Sequence, residues 1–239
     1  MLASLLASLM RLAVTFSAVQ PDTHEEWGPI IAVMAQPLGN ATDYLPASYV
    51  KWLELGGARV VPVMYEATDR EVDAIFANTN GLLLIGGDAP VCSAARRFLA
   101  NAVSAAKGGD AYPIWGTCDG FEWLMQIAAN DDQVLDSPFD SENITLPLNL
   151  TAAAATSTLL ADANVTPVVG APGARPIVSV LDAAQAQAVN MHNHQQGIEP
   201  ATFAASDASK VFKSLATNVD RKGRPFVSRS GSILSGIPW

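Results

Sequence analysis

The chain has 239 residues, of which 49% are hydrophobic and 15% are charged, and its length fits one domain. A disordered protein needs low hydrophobicity and high charge, so this composition excludes a mainly disordered chain. The 23 acidic residues outnumber the 14 basic ones and give a formal net charge of -9, which argues against a nucleic-acid partner. With two cysteines, Cys92 and Cys118, neither a disulfide scaffold nor a CxxC zinc site can form, and we expect no metal and no cofactor.

The first twenty residues are mostly apolar and contain a single basic side chain, Arg11. Residues 12–19 fit the hydrophobic region of a signal peptide, with Thr15 and Ser17 small enough to precede a cleavage site. A short membrane anchor or a disordered start are the alternatives, although an arginine at a bilayer centre costs about 2.5–3.5 kcal/mol. We therefore expect residues 1–20 to be a signal peptide and the mature protein to have no stable membrane span.

Four N-x-Thr triplets are candidate acceptors for N-glycosylation. They begin at Asn40, Asn143, Asn149 and Asn164. Such triplets also occur by chance at ordinary turn asparagines, which is the alternative interpretation. Together with the N-terminal segment, they favour entry into the secretory pathway.

Strand and helix patterns alternate through the first half of the chain. Apolar runs predict strands at 29–35, 59–64, 81–85 and 112–116, and helical patterns follow at 47–55, after a cap at Asp69, at 93–106 and at 121–129. Four such repeats predict an α/β fold with a mostly parallel, doubly wound sheet and helices on both faces. Pro62 indicates that the second strand lies near an edge of the sheet or is irregular.

The second half of the chain has a different pattern. From about residue 134 to 180, short apolar runs are interrupted by prolines, which predicts an irregular, strand-rich excursion. Later strands are predicted at 189–191, 211–216 and 225–227, the last two joined by a turn at 220–223.

The pentapeptide Gly116-Thr117-Cys118-Asp119-Gly120 stands between a predicted strand and a predicted helix. The pattern glycine-x-nucleophile-x-glycine is typical of the strained turn that exposes a nucleophile at the carboxyl edge of a sheet. A thiol at a helix N-terminus gains thiolate character, and the N–H of Asp119 could donate to an oxyanion. The alternative is a buried cysteine in a glycine-rich turn. Cys92 has no such surroundings and is expected to pack in the protein or face solvent.

Five segments resemble the folate γ-glutamyl hydrolases, cysteine peptidases of the class I glutamine amidotransferase-like superfamily. They are 29–37 (PIIAVMAQP), 47–63 (ASYVKWLELGGARVVPV), 80–87 (NGLLLIGG), 112–122 (YPIWGTCDGFE) and 191–203 (MHNHQQGIEPATF). The resemblance spans about 29–227 and implies a flavodoxin-like fold that hydrolyses the γ-linked glutamate tail of folylpolyglutamates through an acyl-enzyme. It also implies a lysosomal, vacuolar or extracellular location. A second copy of the chain, forming a homodimer, is a further candidate partner.

Positions that match the family imply roles for individual residues. They give Cys118 as the nucleophile, Gly87 and Asp119 as oxyanion donors, and Glu122 and His194 as substrate-site residues. Tyr49 and Lys51 lie in the family's signature helix near the expected cleft. His194 is also the candidate base, because it is the only family-matched histidine in the chain. His192 and His194 are expected on opposite sides of an extended strand, or in a loop. A polar surface residue is the alternative for His194 and the preferred interpretation for His192.

Two features depart from the family pattern. Asp119 places a carboxylate beside Cys118, and like-charge repulsion disfavours the thiolate. Family members continue into a Trp-His-Pro-Glu-type motif that supplies a histidine base, whereas residues 228–239 match nothing in the family. The resemblance therefore implies a C-terminally truncated fold, divided into a signal peptide at 1–20, a hydrolase-like domain at 21–228 and a non-family tail at 229–239.

Three functions compete at this point. The chain is a γ-glutamyl hydrolase acting through Cys118, or it is an inactive relative or truncated isoform that at most binds folylpolyglutamate. A glutaminase subunit that feeds ammonia to a synthase is the third, but such subunits are cytosolic and lack secretory features. An anionic glutamate tail also needs local basic groups, for which the candidates are Lys51, Arg59, Arg96, Arg97 and Lys107.

Overall fold

A computed structural model describes residues 28–39, 42–157, 160 and 180–232. The strands are β1 Ile30–Met34, β2 Gln36–Leu38, β3 Thr42–Tyr44, β4 Arg59–Val63, β5 Gly81–Leu84, β6 Ile114–Gly116, β7 Ser141–Leu146, β8 Asn149–Leu150, β9 Asn190–His194, β10 Phe212–Val219 and β11 Pro225–Ser232. The α-helices are α1 Ala47–Leu55, α2 Asp69–Ala77, α3 Ser93–Lys107, α4 Asp119–Ala129, α5 Val180–Ala186 and α6 Pro200–Ala205, with short 3₁₀ turns at Ala152–Thr156 and Asp207–Lys210. The predicted signal peptide and the triplets at Asn40 and Asn164 lie outside the described residues.

The central sheet contains four parallel strands in the order β4-β1-β5-β6. Numbered by strand–helix repeat, this order is 2-1-3-4, as in flavodoxin-like folds, where ligands bind beyond the carboxyl ends of the strands. The predicted doubly wound parallel sheet is therefore confirmed. β4 is an edge strand. Proline has no N–H to donate to a neighbouring strand, and an edge strand tolerates Pro62 because one of its sides has no neighbouring strand.

Helices cover both faces of this sheet because side chains alternate along each buried strand. Val33, Leu83 and Ile85 point to one face, where Tyr49 and Leu53 of α1 pack against them. The other face carries the larger core, in which α2, α3 and α4 cover the remaining strand side chains. Its fully buried members include Met34, Leu84, Phe98, Ile114, Trp123 and Met125.

Within the described residues, the strands after α4 form antiparallel sheets, and Phe212 of β10 and Val227 of β11 pack into the larger core. β11, β10 and β8 pair in that order, and β7 pairs with β9. The turn between β10 and β11 is held by the Asp220 carboxylate, which accepts N–H bonds from Asp140, Lys222 and Arg224. β11 extends to Ser232, so residues 229–232 pair with β10 in this sheet.

Two details differ from the sequence-based expectations. Thr68, not Asp69, is the N-cap of α2: its hydroxyl accepts the N–H of Glu71, and the Glu71 carboxylate accepts the N–H of Thr68. Asp69 is the first helical residue. The predicted strand at 189–191 extends to His194, which brings both histidines of that segment into β9. None of the helices in the described ranges is both long enough and apolar enough to cross a membrane.

Replacing Leu84 by alanine tests the central sheet. Leu84 is 1% exposed in β5, so Leu84→Ala leaves a cavity and is expected to lower the free energy of unfolding by about 2–5 kcal/mol. The matched control is Leu55→Ala, because Leu55 is 89% exposed at the end of α1 and should change stability by at most about 0.5 kcal/mol. Chemical denaturation measures both; equal losses would contradict the assigned core.

Candidate active site

Cys118 occupies a strained turn between β6 and α4. Its backbone has φ 57° and ψ -120°, in a region that non-glycine residues rarely adopt. The flanking glycines are required by close backbone approach: a Cβ at Gly116 would lie 2.4 Å from the Gly120 carbonyl oxygen. A Cβ at Gly120 would lie 2.3 Å from the carbonyl oxygen of Leu84. The turn geometry expected for the pentapeptide is therefore present at the carboxyl edge of the sheet.

Two backbone donors converge on the Cys118 thiol. The N–H groups of Gly87 and Asp119 both face its sulfur, and their proximity acts to lower the pKa of the thiol. The loop after β5 approaches closely at Gly86, whose N–H donates to the Tyr49 hydroxyl at 3.1 Å. A Cβ at Gly86 would lie 3.1 Å from the Cys118 Cβ, so a larger residue would crowd the nucleophile. The structure thus brings together Gly87, Asp119, Tyr49 and Cys118.

The balance of charges nevertheless favours the neutral thiol of Cys118. Its pKa is raised, first by desolvation in the pocket and then by the carboxylates of Glu122 and Asp119, and these effects exceed those of the two N–H groups. The expected gain in thiolate character at the helix N-terminus is therefore outweighed. The Cys118 residue is exposed, whereas Cys92 is buried and accepts the N–H of Ala95 at 3.4 Å, which confirms its packing role.

The Asp119 carboxylate is held by a residue that the sequence analysis did not identify. Gln36, the first residue of β2, donates its Nε2 to Asp119 Oδ2 at 2.8 Å. Burial raises the pKa of Asp119 to about 6 in spite of that hydrogen bond. The Gln36 side chain also fills the space beside Gly87, where a Cβ would lie 2.4 Å from the Gln36 Cδ. Gln36 therefore supports both residues whose N–H groups reach the thiol.

Glu122 lies one helical turn after Cys118 and lines the same pocket. Burial, followed by the charges of Asp119 and Asp88, raises the pKa of Glu122 to about 7. At neutral pH its carboxyl group is therefore close to half protonated. In that state it can donate a hydrogen bond as well as accept one.

These residues open into a pocket of about 610 Å³. Its walls come from α1, from the turn at Cys118, and from β9 and β11. Trp52 and Trp115 form an aromatic wall, with ring centroids 6.1 Å apart and an interplanar angle of 56°. Neither tryptophan was predicted from the sequence, although Trp52 lies three residues after Tyr49 and such residues share a helix face.

His192 and His194 lie on the same side of β9, and both line the pocket. Their ring centroids are 5.7 Å apart, and both rings contact Phe226, at 5.1 Å for His192 and 4.8 Å for His194. The expectation that they lie on opposite sides was wrong, because residues two apart in a strand point to the same face. The interpretation of His192 as a surface residue was also wrong, since it is 6% exposed.

Both imidazoles are neutral at pH 7. Burial, with smaller contributions from His194 and Arg229, lowers the pKa of His192 to about 4. Burial also lowers the pKa of His194, whose Nδ1 donates to the Gln196 carbonyl at 2.6 Å. A carbonyl only accepts, so Nε2 of His194 keeps its lone pair. Among the hydrogen bonds of the described residues, none joins either imidazole to Cys118.

The basic residues considered for an anionic substrate do not line the pocket. Lys51 is exposed on α1 and is absent from the pocket wall formed by the described residues. Arg96 pairs with Asp132, and Arg97 pairs with Asp73 at 2.7 Å. Arg59 lies on the edge strand β4 and Lys107 at the end of α3, both outside the pocket wall.

No group of three or more histidine, cysteine or carboxylate side chains in the described part of the chain is arranged to hold a metal ion.

Removing the carboxylates beside Cys118 tests the origin of its raised pKa. Asp119→Asn and Glu122→Gln each remove a negative charge that disfavours the thiolate, so both should shift the pH midpoint of Cys118 alkylation downward. The rate of alkylation by iodoacetamide is measured by mass spectrometry of the Cys118 peptide at a series of pH values. A range of roughly pH 6 to 10 includes the ordinary pKa of a thiol. Glu54→Gln, an exposed change on α1, is the matched control. An unchanged midpoint in both site variants would contradict the electrostatic account.

The sequence is similar to several proteins named γ-glutamyl hydrolase. It is 31% identical over 213 residues to γ-glutamyl hydrolase B of Dictyostelium discoideum, covering 84% of this chain and 57% of that protein. It is 30% identical over 225 residues to the γ-glutamyl hydrolase of Mus musculus, covering 89% of this chain and 66% of that protein. For γ-glutamyl hydrolase 1 of Arabidopsis thaliana, the identity is 28% over 235 residues, covering 92% of this chain and 64% of that protein. The chain thus spans less than two thirds of the length of each of these relatives.

No protein-family model matches the chain. A solved chain from Thermoplasma acidophilum, described as a subunit of GMP synthase, is 16% identical with a TM-score of 0.45, covering 87% of this chain and 81% of that one. A similarity at that level does not bear on the fold, which rests on the sheet order of the chain itself. The sequence relatives, in contrast, align with most of its residues, and the chain is a homologue of proteins named γ-glutamyl hydrolase.

Proposed function

We propose that the pocket hydrolyses γ-glutamyl bonds of folylpolyglutamates, with Cys118 as the nucleophile. The observation that carries the proposal is the convergence of the Gly87 and Asp119 N–H groups on an exposed thiol in a strained turn. Donors in that position stabilise the negative charge that develops on a carbonyl oxygen during acyl transfer. The relatives named γ-glutamyl hydrolase support the choice of bond.

The reaction begins when the deprotonated sulfur of Cys118 attacks the carbonyl carbon of the γ-linked amide. A carbon–sulfur bond forms, and the carbonyl oxygen becomes an oxyanion beside the N–H groups of Gly87 and Asp119. The carbon–nitrogen bond then breaks, the amine leaves with a proton, and a thioester remains on Cys118. Water hydrolyses the thioester, which releases the carboxylate and restores the thiol.

His194 is the residue proposed to take the proton of Cys118. Its Nδ1 is fixed by the Gln196 carbonyl, and its Nε2 therefore has a free lone pair in a pocket that Cys118 also lines. An imidazole held in one tautomer by a backbone carbonyl is well suited to act as a base. Glu122, close to half protonated at neutral pH, is proposed to hydrogen-bond the substrate, and Tyr49 to position the Gly86 loop.

A second candidate function is binding of folylpolyglutamate without turnover. It is favoured by the raised pKa of Cys118 and by the hydrogen bonds of His194, which go to Gln196 and Ser141 and not to the thiol in the described residues. A base must reach the proton that it removes, directly or through one water molecule. Turnover by this chain therefore separates the two functions.

Hydrolysis of pteroyl-γ-glutamate oligomers, followed by chromatography of the products, tests the proposal. Cys118→Ala should reduce turnover by about a thousandfold or more, because the acyl-enzyme cannot form. The matched control is Cys92→Ser, which keeps a hydrogen-bonding cap on α3 away from the pocket and should leave turnover unchanged. His194→Gln should lower the turnover number more than the affinity. Tight binding without turnover by the unmodified chain would establish the second function, and absence of both would contradict the two together.

We also propose that the chain enters the secretory pathway and carries N-linked glycans. Asn143 and Asn149 are exposed in β7 and β8, where an acceptor has to be accessible. The Asn143 backbone has a positive φ of 48°, which turns this residue out of the regular strand. The exposure of both asparagines supports their use as glycan acceptors.

Substitutions at Thr145 test the first of these acceptors. In protein secreted from a eukaryotic host, Thr145→Ala removes the Asn143 triplet and should eliminate one glycosidase-sensitive mass increment. Thr145→Ser keeps the triplet and is the control, which should retain the increment. Mass spectrometry before and after glycosidase treatment measures both; an identical mass with and without the enzyme in the unmodified chain would contradict the proposal.

A further inference from the structure

Arg229 is the positively charged residue in the wall of the pocket. It lies on β11 and is partly buried, and desolvation lowers its pKa. Its guanidinium donates to the backbone carbonyl of Ser228 at 2.7 Å. Among the ion pairs of the described residues, none includes Arg229, whereas Arg97, Arg221 and Arg224 each face a carboxylate. Arg229 therefore stands out as a cation that faces the pocket without an acidic neighbour.

A β-bulge directs this part of β11 toward the pocket. Thr217 pairs with Val227 and Ala216 pairs with Arg229, which leaves Ser228 without a partner residue on β10. A bulge interrupts the alternation of side chains and re-aims them. Both Ser228 and Arg229 consequently line the pocket, although neighbouring residues of a regular strand point to opposite faces.

Two neutral side chains beside Arg229 have buried polar atoms without a hydrogen-bond partner among the described residues. The Nε2 atom of His192 and the hydroxyl of Ser228 are buried without a hydrogen-bond partner in the described part of the protein. His192 is 6% exposed, and the charge of Arg229 is close enough to lower its pKa. With its proton on Nε2, a neutral His192 is a donor, as are the Ser228 hydroxyl and the guanidinium. Unpaired buried donors of this kind are uncommon in proteins unless they meet a ligand or water.

The acidic end of the pocket is distinct from this cluster. Cys118 and Glu122 lie at the start of α4, whereas Arg229 lies on β11. Among the ion pairs of the described residues, none joins Arg229 to Asp119 or Glu122. Burying a cation without a counter-charge destabilises a fold, and an anionic ligand would offset that cost.

We propose that Arg229, together with His192 and Ser228, forms a subsite that binds a carboxylate of the ligand. The carboxylate's identity rests on the proposed function: it is a carboxylate of the glutamate tail, held away from the bond that Cys118 attacks. The planar guanidinium presents paired N–H donors that match the two oxygens of a carboxylate. The subsite also explains how a chain with net charge -9 receives an anionic substrate.

Binding measurements with small probes test the subsite separately from catalysis. The probes are tri-γ-glutamate, glutarate and the neutral glutaramide, followed by the fluorescence of Trp52 and Trp115 in the pocket and by equilibrium dialysis. The unmodified chain should bind both carboxylates at least tenfold more tightly than glutaramide. Arg229→Gln should weaken carboxylate binding by about 10- to 100-fold, since charged hydrogen bonds are lost, and should leave glutaramide binding unchanged. Arg229→Lys should retain part of the affinity.

Arg70→Gln is the matched control, because it removes the same charge from an exposed position on α2 and should leave all three affinities unchanged. If Arg229→Gln does not fold, the comparison of glutarate with glutaramide in the unmodified chain still decides the question. Equal affinity for the two, no carboxylate binding, or carboxylate binding that survives Arg229→Gln would each overturn the subsite. Absence of γ-glutamyl hydrolysis with Arg229-dependent glutarate binding would instead overturn only the proposed reaction.

Discussion

The packing of the Cys118 turn against the carboxyl end of β5 is the constraint on which the rest of the site depends. The N–H of Thr117 donates to the Leu84 carbonyl and that of Gly120 to the Ile85 carbonyl, each at 3.0 Å. This contact leaves no room for a Cβ at Gly120. It holds Cys118 at a positive φ and directs its sulfur toward the N–H of Gly87 in the loop after β5. Two neighbouring strands of one parallel sheet thereby supply the thiol and both donors.

The charges in the pocket are divided between its two ends. Around Cys118, the carboxylates of Asp119 and Glu122 oppose the thiolate, and burial raises the pKa of both carboxyl groups, that of Glu122 with a further contribution from Asp119. On the other wall, β11 supplies Arg229 with no carboxylate in the described residues to neutralise it. Such a division suits a ligand with an amide at one end and an anion at the other. The unfavourable free energy of burying the Arg229 charge also arises where a ligand carboxylate can offset it.

The similarity of this chain to proteins named γ-glutamyl hydrolase extends over most of its residues. The structure adds what an alignment with these relatives leaves open. Gln36 holds the Asp119 carboxylate, and Trp52 and Trp115 form one wall of the pocket. β11 contributes Arg229 to that pocket through the bulge opposite β10. The site therefore combines residues at the edge of the parallel sheet with a wall from the antiparallel strands.

Local patterns in the sequence determined the parallel sheet, the helices and the glycine-flanked turn, because apolar periodicity and close-approach glycines act over a few neighbouring residues. The tertiary structure decided the rest. His192 became a pocket residue only when β9 was extended and paired with β7, and Arg229 only through the bulge between β10 and β11. The upward shift of the Cys118 pKa likewise depends on burial and on the neighbouring carboxylates of Glu122 and Asp119. Register, burial and the sum of charges arise from segments far apart in the chain, so no local pattern contains them.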